Sequence, residues 1–377
     1  MSKQVFLHIG GEKTGTSTLQ SFLTRNASRL KRSGFYYPCE ASNICFASMA
    51  HLPVAACLID EKVEFVSEKS QRTLPFVLRV LTRVVAATEG AVVLSCEHFS
   101  SRLMQKRQLV ALRNALPADE IKVVYYIREP SELALAAWST GIRYGGRHSF
   151  NVNDVTPESR YYNHLETLKL WGSVFGEPNL IVREYNRALL KNGDIRKDFC
   201  ALLGIKSEDM RFDEDENQSF DVQRLEALRY INGALPAFHE GEAEWRRAQN
   251  IRRLVSTYIP ESGTLKALMS EGERTLIKSR FSDINQEISE RYFAGQLSRD
   301  WFPDCSEREE RTDLQHRSQV DLASVLRETV IRLAEANGDY ARPKVKTKLR
   351  KLLKQIRQSL FESVFRPMPS AIRRRSP

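Results

Sequence analysis

Four short apolar runs rich in β-branched residues punctuate the chain, at 4–9, 91–95, 122–127 and 179–183. After a few residues each run gives way to apolar positions at three- and four-residue spacing, the period of an amphipathic helix. Strands that alternate with helices predict an α/β protein with three layers, a parallel sheet flanked by helices. The segment 34–38 predicts a further short strand, and several more helices are predicted over 222–285.

The composition is that of a folded protein, with 42% hydrophobic and 28% charged residues in a chain of 377. No run approaches the roughly 18 apolar residues that a membrane-spanning helix needs. The net charge of +10 comes from the C-terminal segment 342–377, which holds twelve Lys or Arg residues and one acid; the remaining 45 basic and 46 acidic residues give −1. An argument from positive charge therefore concerns the tail alone.

The first residues and the cysteines indicate in which cellular compartment the protein is expected. Residues 1–11 enter a β-like run directly, without the apolar stretch and cleavage site of a secretory signal, so a cytoplasmic protein is expected. The cysteines show no CxxC or Cys/His ligand spacing, and we expect reduced thiols, no disulfide framework and no zinc. They are Cys39, Cys45, Cys57, Cys96, Cys200 and Cys305.

The segment 5–19, VFLHIGGEKTGTSTL, predicts a strand, a glycine-containing turn and an amphipathic helix. Such a turn directs backbone N–H groups and a helix dipole at one point, which makes an anion-binding site. Gly10, Gly11 and Gly15 allow close backbone approach. A nucleoside-triphosphate loop reads GxxxxGKS or GxxxxGKT, but here a threonine follows the second glycine, and Lys13 comes three places before that threonine.

The loop GEKTGTSTLQ resembles the 5'-phosphosulfate loop, PKxGTT, of sulfotransferases that use 3'-phosphoadenylyl sulfate (PAPS). The resemblance implies that Lys13 contacts the 5'-phosphate and the bridging oxygen. Glu12 stands where proline is commoner in that family. The alternative is that the turn arose for packing, with a hydroxyl residue capping the helix. The other residues that the resemblance assigns to nucleotide binding are Gly11, Thr14, Gly15, Thr16 and Ser17, and the capping candidates are Thr16 and Ser17.

The strand at 122–127 ends in Arg128, and a proline-initiated helix follows. P-loop kinases need a carboxylate at a strand end to hold Mg²⁺, whereas this strand ends in a cation that suits a phosphate. It resembles the 3'-phosphate element of the same sulfotransferases, an arginine followed eight residues later by a serine. Arg128 matches, but the eighth residue is Ala136, so the role of the serine passes to Ser131 or Ser139. The alternative is a surface arginine at the edge of the sheet.

The strand at 91–95 runs into Glu97 and His98, two titratable groups at a carboxyl end, where ligands of doubly wound sheets bind. Either could take a proton from an acceptor hydroxyl. Comparable segments occur in bacterial and glycan-modifying sulfotransferases, several of which are thought to use glutamate as the base, so the resemblance favours Glu97, with His98 second. The alternative is that Glu97 caps the next helix and His98 is a partly buried core imidazole.

Residues 161–204 resemble the same family over a long stretch, in which a strand, a tyrosine and a DFxxxLGI helix follow in order. In relatives this tyrosine lies near the adenine, so Tyr185 is a candidate adenine contact; the alternative is a core tyrosine. The resemblance implies a sulfotransferase domain over 1–300, with 39–79 as an insertion on the acceptor side. A helical extension at 301–340 and a basic tail at 341–377 follow.

The tail carries apolar residues at helical spacing over 346–365, with lysines and arginines between them. This pattern predicts a basic amphipathic helix. Such helices bind anionic membrane surfaces, and each cation near the surface contributes about 1 kcal/mol to the binding free energy. The alternative is a helix docked on the body of the protein. Nucleic acid is not expected as a partner, because no aromatic stacking positions lie between the charges.

Together these features predict a sulfotransferase of the P-loop NTPase-like fold that moves the sulfuryl group from PAPS to a hydroxyl of a carbohydrate or lipid-linked glycan, releasing 3',5'-adenosine bisphosphate. Lys13 would stabilise the leaving phosphate and Glu97 would take the proton, with no metal required. The predicted location is the cytoplasm, at the inner face of the membrane if the tail binds lipid. Two alternatives stay open: a P-loop kinase or nucleotide hydrolase that uses ATP and Mg²⁺, and a non-catalytic, membrane-associated adaptor that keeps the fold.

Overall fold

Five parallel strands form one sheet in the part of the chain that the computed structural model describes, namely residues 2–60, 71–213, 220–233, 235, 242–260, 264–303, 325 and 329. Their order across the sheet is β2-β3-β1-β4-β5. The predicted α/β class and the five predicted strands are confirmed. The strands are β1 (Gln4–Gly10), β2 (Phe35–Tyr36), β3 (Ala91–Ser95), β4 (Glu120–Ile127) and β5 (Leu180–Glu184).

Helices connect and flank the strands. Before β4 the described residues form α1 (Thr16–Arg25), α2 (Ala27–Arg32), α3 (Leu52–Ala56), α4 (Leu74–Ala87), α5 (His98–Arg102) and α6 (Lys106–Asn114). After β4 they form α7 (Pro130–Arg143), α8 (His164–Phe175), α9 (Ile195–Leu202), α10 (Val222–Asn232), α11 (Glu242–Ser256), α12 (Glu271–Arg280) and α13 (Ser282–Tyr292). The helix predicted after Arg128 and those predicted over 222–285 are confirmed.

Alternation along β1 gives the sheet two buried faces. Val5, Leu7 and Ile9 lie on one face, where they pack with residues of α4, α6, α8 and α13. Phe6 and His8 lie on the other face, which α1 and α9 cover. Strands with both faces buried are typical of parallel sheets, and the arrangement has the three layers that the sequence predicts.

The carboxyl ends of the strands meet at one edge of the sheet. From β1 the chain runs outward to β2, returns to β3 beside β1, and then crosses to β4 and β5 on the other side of β1. At such a switch point the loops diverge and leave a crevice in which open α/β sheets bind their ligands. The segments after β1, β3, β4 and β5 all begin at this edge.

The chain divides into two compact units. The first contains the sheet and comprises Met1–Ala137, Asn151–Gln218 and Glu271–Arg311; the second comprises Trp138–Phe150, Ser219–Ser270 and Thr312–Pro377. In the second unit α10 and α11 share an apolar core with Ile142 of α7. The domain boundaries at 300 and 340, and the insertion at 39–79, stay predictions.

Several sequence-based predictions fall on residues outside the described part. These are Cys305, residues 61–70 of the insertion, the helical extension at 301–340 apart from 301–303, 325 and 329, and the tail at 341–377 with its helix at 346–365. Among the described helices, none combines the length and the apolar character that crossing a membrane requires. The remaining cysteines, Cys39, Cys45, Cys57, Cys96 and Cys200, are free thiols.

Asp198 on α9 is a fully buried carboxylate that ties three elements of the first unit together. It accepts hydrogen bonds from the Tyr126 hydroxyl on β4 at 2.8 Å and from Arg183 Nε on β5 at 3.0 Å. The backbone N–H of Lys191 donates to it at 3.2 Å. Because a buried charge without partners is strongly destabilising, these bonds hold α9 against the sheet.

We expect Asp198→Ala to lower the free energy of unfolding by about 3 kcal/mol, because the charge of Arg183 and the hydroxyl of Tyr126 lose their acceptor. Tyr126→Phe removes one hydrogen bond and should cost about 1 kcal/mol. Asp213→Ala, which removes exposed ion pairs, is the control and should leave stability nearly unchanged. Urea unfolding followed by circular dichroism measures all three. Equal losses at Asp198 and Asp213 would contradict this account.

Candidate functional site

The turn between β1 and α1 is a tight loop with left-handed backbone positions. Gly10 has a φ of 84°, and Lys13 has a φ of 62°, which is uncommon for a residue with a side chain. A Cβ atom on Gly10 would lie 2.7 Å from Glu97 Cα, and one on Gly11 would lie 2.6 Å from the carbonyl oxygen of Tyr126. Only glycine fits at both positions, so the loop lies directly against the ends of β3 and β4.

The start of α1 presents backbone N–H groups toward the loop. No side chain caps the helix, and in the described part of the chain no acceptor takes the N–H groups of Gly15, Thr16 or Ser17. Thr16 and Ser17 therefore do not cap α1, as the packing alternative required. The buried Thr14 hydroxyl donates to the Gly11 carbonyl at 2.7 Å. Free N–H groups and the helix dipole together favour an anion at this point.

Arg128 reaches from the end of β4 to the loop. Its Nη1 donates to the carbonyl oxygen of Lys13 at 2.8 Å, its Nη2 lies 3.4 Å from Glu132 Oε2 on α7, and its guanidinium carbon lies 5.7 Å from the centre of the Tyr185 ring. The mostly buried Arg274 also donates to Glu132, at 3.1 Å. Arg128 is thus part of the surroundings of the loop and not a surface arginine at the edge of the sheet.

His164, the first residue of α8, is hydrogen-bonded to the backbone carbonyl of Arg128. Its two ring nitrogens lie 2.8 Å from the Tyr125 hydroxyl and 2.8 Å from the Arg128 carbonyl oxygen. Burial lowers the pKa of His164 to about 4, so the ring is neutral near pH 7. The sequence reasoning missed this residue, because the contact joins positions 36 residues apart and leaves no motif.

The two serines that the sequence offers for the 3'-phosphate are placed differently. The hydroxyl of Ser131 is already hydrogen-bonded, and Ser139 belongs to the second unit. The Ser131 hydroxyl donates to the carboxylate of Glu129, which also accepts the backbone N–H groups of Ser131 and Glu132 at 3.0 Å. Burial raises the pKa of Glu129, and its oxygens serve the start of α7. Ser139 is nearly buried in the part of α7 that belongs to the second unit. The 3'-phosphate role of both serines stays a prediction.

Glu97 and His98 follow β3 and lie beside the loop. Glu97 is the residue before α5, but its side chain makes no capping hydrogen bond there; its Oε2 accepts from Gln20 Nε2 of α1 at 2.7 Å. His98 Nδ1 lies 3.9 Å from Oε1 of Glu12, whose Oε2 accepts from the Tyr161 hydroxyl at 3.3 Å. The sequence reasoning noted Glu12 only as a departure from the family pattern. The catalytic roles of Glu97 and His98 stay predictions.

Tyr185 follows β5 and contacts the loop rather than the core alone. Its backbone N–H donates to the Ile127 carbonyl at 2.7 Å, and its hydroxyl oxygen lies 3.0 Å from the place that a Cβ on Gly15 would occupy. The fold therefore brings the predicted residues of the first unit to one edge of the sheet, around the loop and Arg128. An adenine contact of Tyr185 stays a prediction.

Comparisons with known proteins returned few similar chains. No protein-family model matches the chain. An uncharacterized protein of Archaeoglobus fulgidus is 25% identical over 187 residues, which are 49% of this chain and 50% of that protein, so the chain spans about half the length of the curated relative it matches. Among solved structures, the sulfotransferase from Alicyclobacillus acidocaldarius aligns with a TM-score of 0.37 and 18% identity, over 64% of this chain and 98% of that one.

Alanine substitutions at two glycines with the same backbone conformation distinguish the cost of backbone strain from the cost of steric overlap in the loop. Gly10 and Gly34 have φ of 84° and 86°, but a Cβ on Gly34 would meet nothing within 4 Å. We expect Gly34→Ala to cost about 1 kcal/mol, the cost of a left-handed side-chain residue. Gly10→Ala should cost about 1–3 kcal/mol more, because its Cβ overlaps the backbone of Glu97. Urea unfolding compares the two variants, and equal losses would show that the loop is not pressed against β3.

Proposed function

We propose that this chain is a PAPS-dependent sulfotransferase that moves a sulfuryl group to a hydroxyl of a carbohydrate. The observation that carries the proposal is the hydrogen bond from Arg128 to the carbonyl of Lys13. It joins two separate anion-binding elements, the start of α1 and the end of β4, at one edge of the sheet. A nucleotide with phosphate groups at both its 5' and 3' positions suits two such elements.

The 5' side of the donor would lie on the loop. The N–H groups of Gly15, Thr16 and Ser17 suit the oxygens of a phosphosulfate, since a helix N-terminus favours negative charge. Gly11 allows close approach, and Lys13 would stabilise the charge on the phosphate oxygen that leaves. The loop fits an anionic ester for two reasons. The start of α1 has no side-chain cap, and glycines occupy the two positions at which the loop backbone is most crowded.

The 3' side of the donor would lie on Arg128. A 3'-phosphate would take the guanidinium N–H groups in place of the weak 3.4 Å contact with Glu132. A charge-assisted hydrogen bond of this kind contributes about 1.5–3 kcal/mol. Tyr185, whose ring lies beside Arg128, would contact the adenine, and Ser131 or Ser139 would have to reorient to assist.

The proton of the acceptor would go to Glu97, with His98 as the second candidate. As the acceptor oxygen bonds to sulfur and the bond from sulfur to the phosphate oxygen breaks, Glu97 takes the hydroxyl proton and 3',5'-adenosine bisphosphate leaves. The transferred group has one negative charge, so Lys13 and backbone donors suffice to stabilise it. The glycan acceptor, a lipid-linked one included, and peripheral binding of the tail to the inner membrane face belong to the same proposal.

One observation favours a second candidate, a P-loop kinase or nucleotide hydrolase. Glu97 follows β3, the strand next to β1, and its Cα lies against the loop. P-loop enzymes hold Mg²⁺ with a carboxylate from a strand near the phosphates. Against this candidate, Lys13 precedes Gly15, whereas the lysine of a triphosphate loop follows the second glycine.

Calorimetric titration separates the two candidates. We expect 3',5'-adenosine bisphosphate to bind the full-length chain more tightly than ATP with Mg²⁺. Arg128→Ala should weaken bisphosphate binding about ten- to hundredfold, and Arg25→Ala, at the exposed far end of α1, should not change it. Preferential binding of ATP with Mg²⁺ would remove the sulfotransferase proposal in favour of the kinase or hydrolase.

Transfer from labelled PAPS to a panel of glycans tests the base. Glu97→Gln should lower the rate about 10²–10⁴-fold while bisphosphate binding persists, because the amide cannot take a proton. His98→Gln is measured beside it. Glu208→Gln, which alters an exposed carboxylate outside the proposed site, is the control and should transfer at the wild-type rate. If Glu97→Gln is as active as wild type and His98→Gln is not, the proton goes to His98.

A further inference from the structure

The imidazole of His164 is held in a single orientation. The residue is 4% exposed, and the centroids of the Tyr125 and Trp301 rings lie 5.7 and 5.9 Å from that of its own ring. Trp301 is itself buried and donates its Nε1–H to Glu184 at 2.9 Å. A buried ring that contacts two aromatic rings and is hydrogen-bonded through both nitrogens cannot turn without breaking several contacts.

The partners of His164 determine where its proton is. A backbone carbonyl can only accept, so Nε2, 2.8 Å from the Arg128 oxygen, must carry the hydrogen. Nδ1 is then the acceptor of the Tyr125 hydroxyl at 2.8 Å. His164 thus donates to Arg128 as a neutral ring, in the tautomer that the carbonyl oxygen requires.

Arg128 needs this contact because it lies just past the sheet. The pairing of β4 with β5 ends at Ile127 and Glu184, and no backbone N–H of the described residues donates to the Arg128 carbonyl. Without His164 the peptide between Arg128 and Glu129 would lose the hydrogen bond to its carbonyl oxygen. Rotation there would swing the long side chain of Arg128 and lose the 2.8 Å bond to Lys13.

We propose that His164 is a positioning residue for anion binding, since its Nε2–H holds the Arg128 carbonyl and so directs the guanidinium onto the phosphate loop. The inference rests on the proposed function for the identity of the ligand. The placement of Arg128 on the loop does not depend on that identity. Tyr125 contributes to the same arrangement, because its hydroxyl donates to Nδ1 and so satisfies the other ring nitrogen of His164.

His51 provides a matched control for a buried histidine. It is fully buried, and burial lowers its pKa to about 4, as for His164. Its Nδ1 accepts the Ser95 N–H at 3.1 Å, and its Nε2 lies 3.0 Å from the Pro38 carbonyl. Its hydrogen-bond partners are therefore backbone groups after β2 and at the end of β3, and neither is part of Arg128.

The first measurement is calorimetric titration of full-length variants with 3',5'-adenosine bisphosphate, beside their urea unfolding. His164→Leu should weaken binding about tenfold or more. His164→Gln should recover much of the affinity, because its amide N–H can still donate to the Arg128 carbonyl. His51→Leu should lose a similar amount of stability and bind as wild type does. Equal weakening by His164→Leu and His51→Leu would overturn the proposal.

The second measurement needs no ligand. Hydrogen exchange of the loop peptide that contains Lys13, read by mass spectrometry, should be faster in His164→Leu and in Arg128→Ala, and unchanged in His51→Leu. Unchanged exchange in His164→Leu, with faster exchange in Arg128→Ala, would overturn the positioning role. If wild type binds no bisphosphate, the sulfotransferase proposal fails, and the exchange comparison still decides the role of His164.

Discussion

Close contact between the loop after β1 and the ends of the two neighbouring strands is the constraint on which the whole site depends. At Gly10 and Gly11 the main chain comes so near to Glu97 and to the Tyr126 carbonyl that no side chain fits. The loop cannot be lifted from the sheet without losing this packing, so the N–H groups at the start of α1 keep one direction. Anion binding at a helix start is precise only when the helix start itself is held in this way.

The buried polar groups near this edge of the sheet are hydrogen-bonded to other groups of the protein. Asp198 accepts hydrogen bonds from Tyr126 and Arg183, and His164 is hydrogen-bonded to the Tyr125 hydroxyl and to the Arg128 carbonyl. Glu129 is adjacent to Arg128 in sequence, yet its carboxylate is taken up by the start of α7. A carboxylate satisfied in this way is a poor metal ligand, because its bonds to the helix would have to break first. Groups satisfied in this way stabilise the elements around the loop.

The strands and the residues that end them could be predicted, because alternation and strand ends are local patterns; Glu97 and Arg128 lie where the sequence predicts. Long-range contacts could not. Gln20 meets Glu97 across 77 positions, and Arg128 meets the backbone of Lys13 across 115, and no spacing rule encodes such pairs. The second unit was missed for the same reason, since it joins segments far apart in sequence. Sequence also does not reveal that the hydroxyl of Ser131, a candidate for the 3'-phosphate site, donates to the carboxylate of Glu129.

The backbone of Lys13 joins the two proposed anion-binding elements, the start of α1 and the end of β4. A left-handed conformation costs a residue with a side chain roughly 1–2 kcal/mol, and at Lys13 the hydrogen bond from Arg128 to the carbonyl offsets part of that cost. A ligand that pulls Arg128 away would therefore also loosen the loop, whereas a ligand that binds both elements at once keeps the bond in place. A chain of phosphates along the helix start engages only one element. The proposed donor, a nucleotide with phosphates at both the 5' and the 3' position of its ribose, would engage both, which is the physical reason to prefer it over a nucleoside triphosphate.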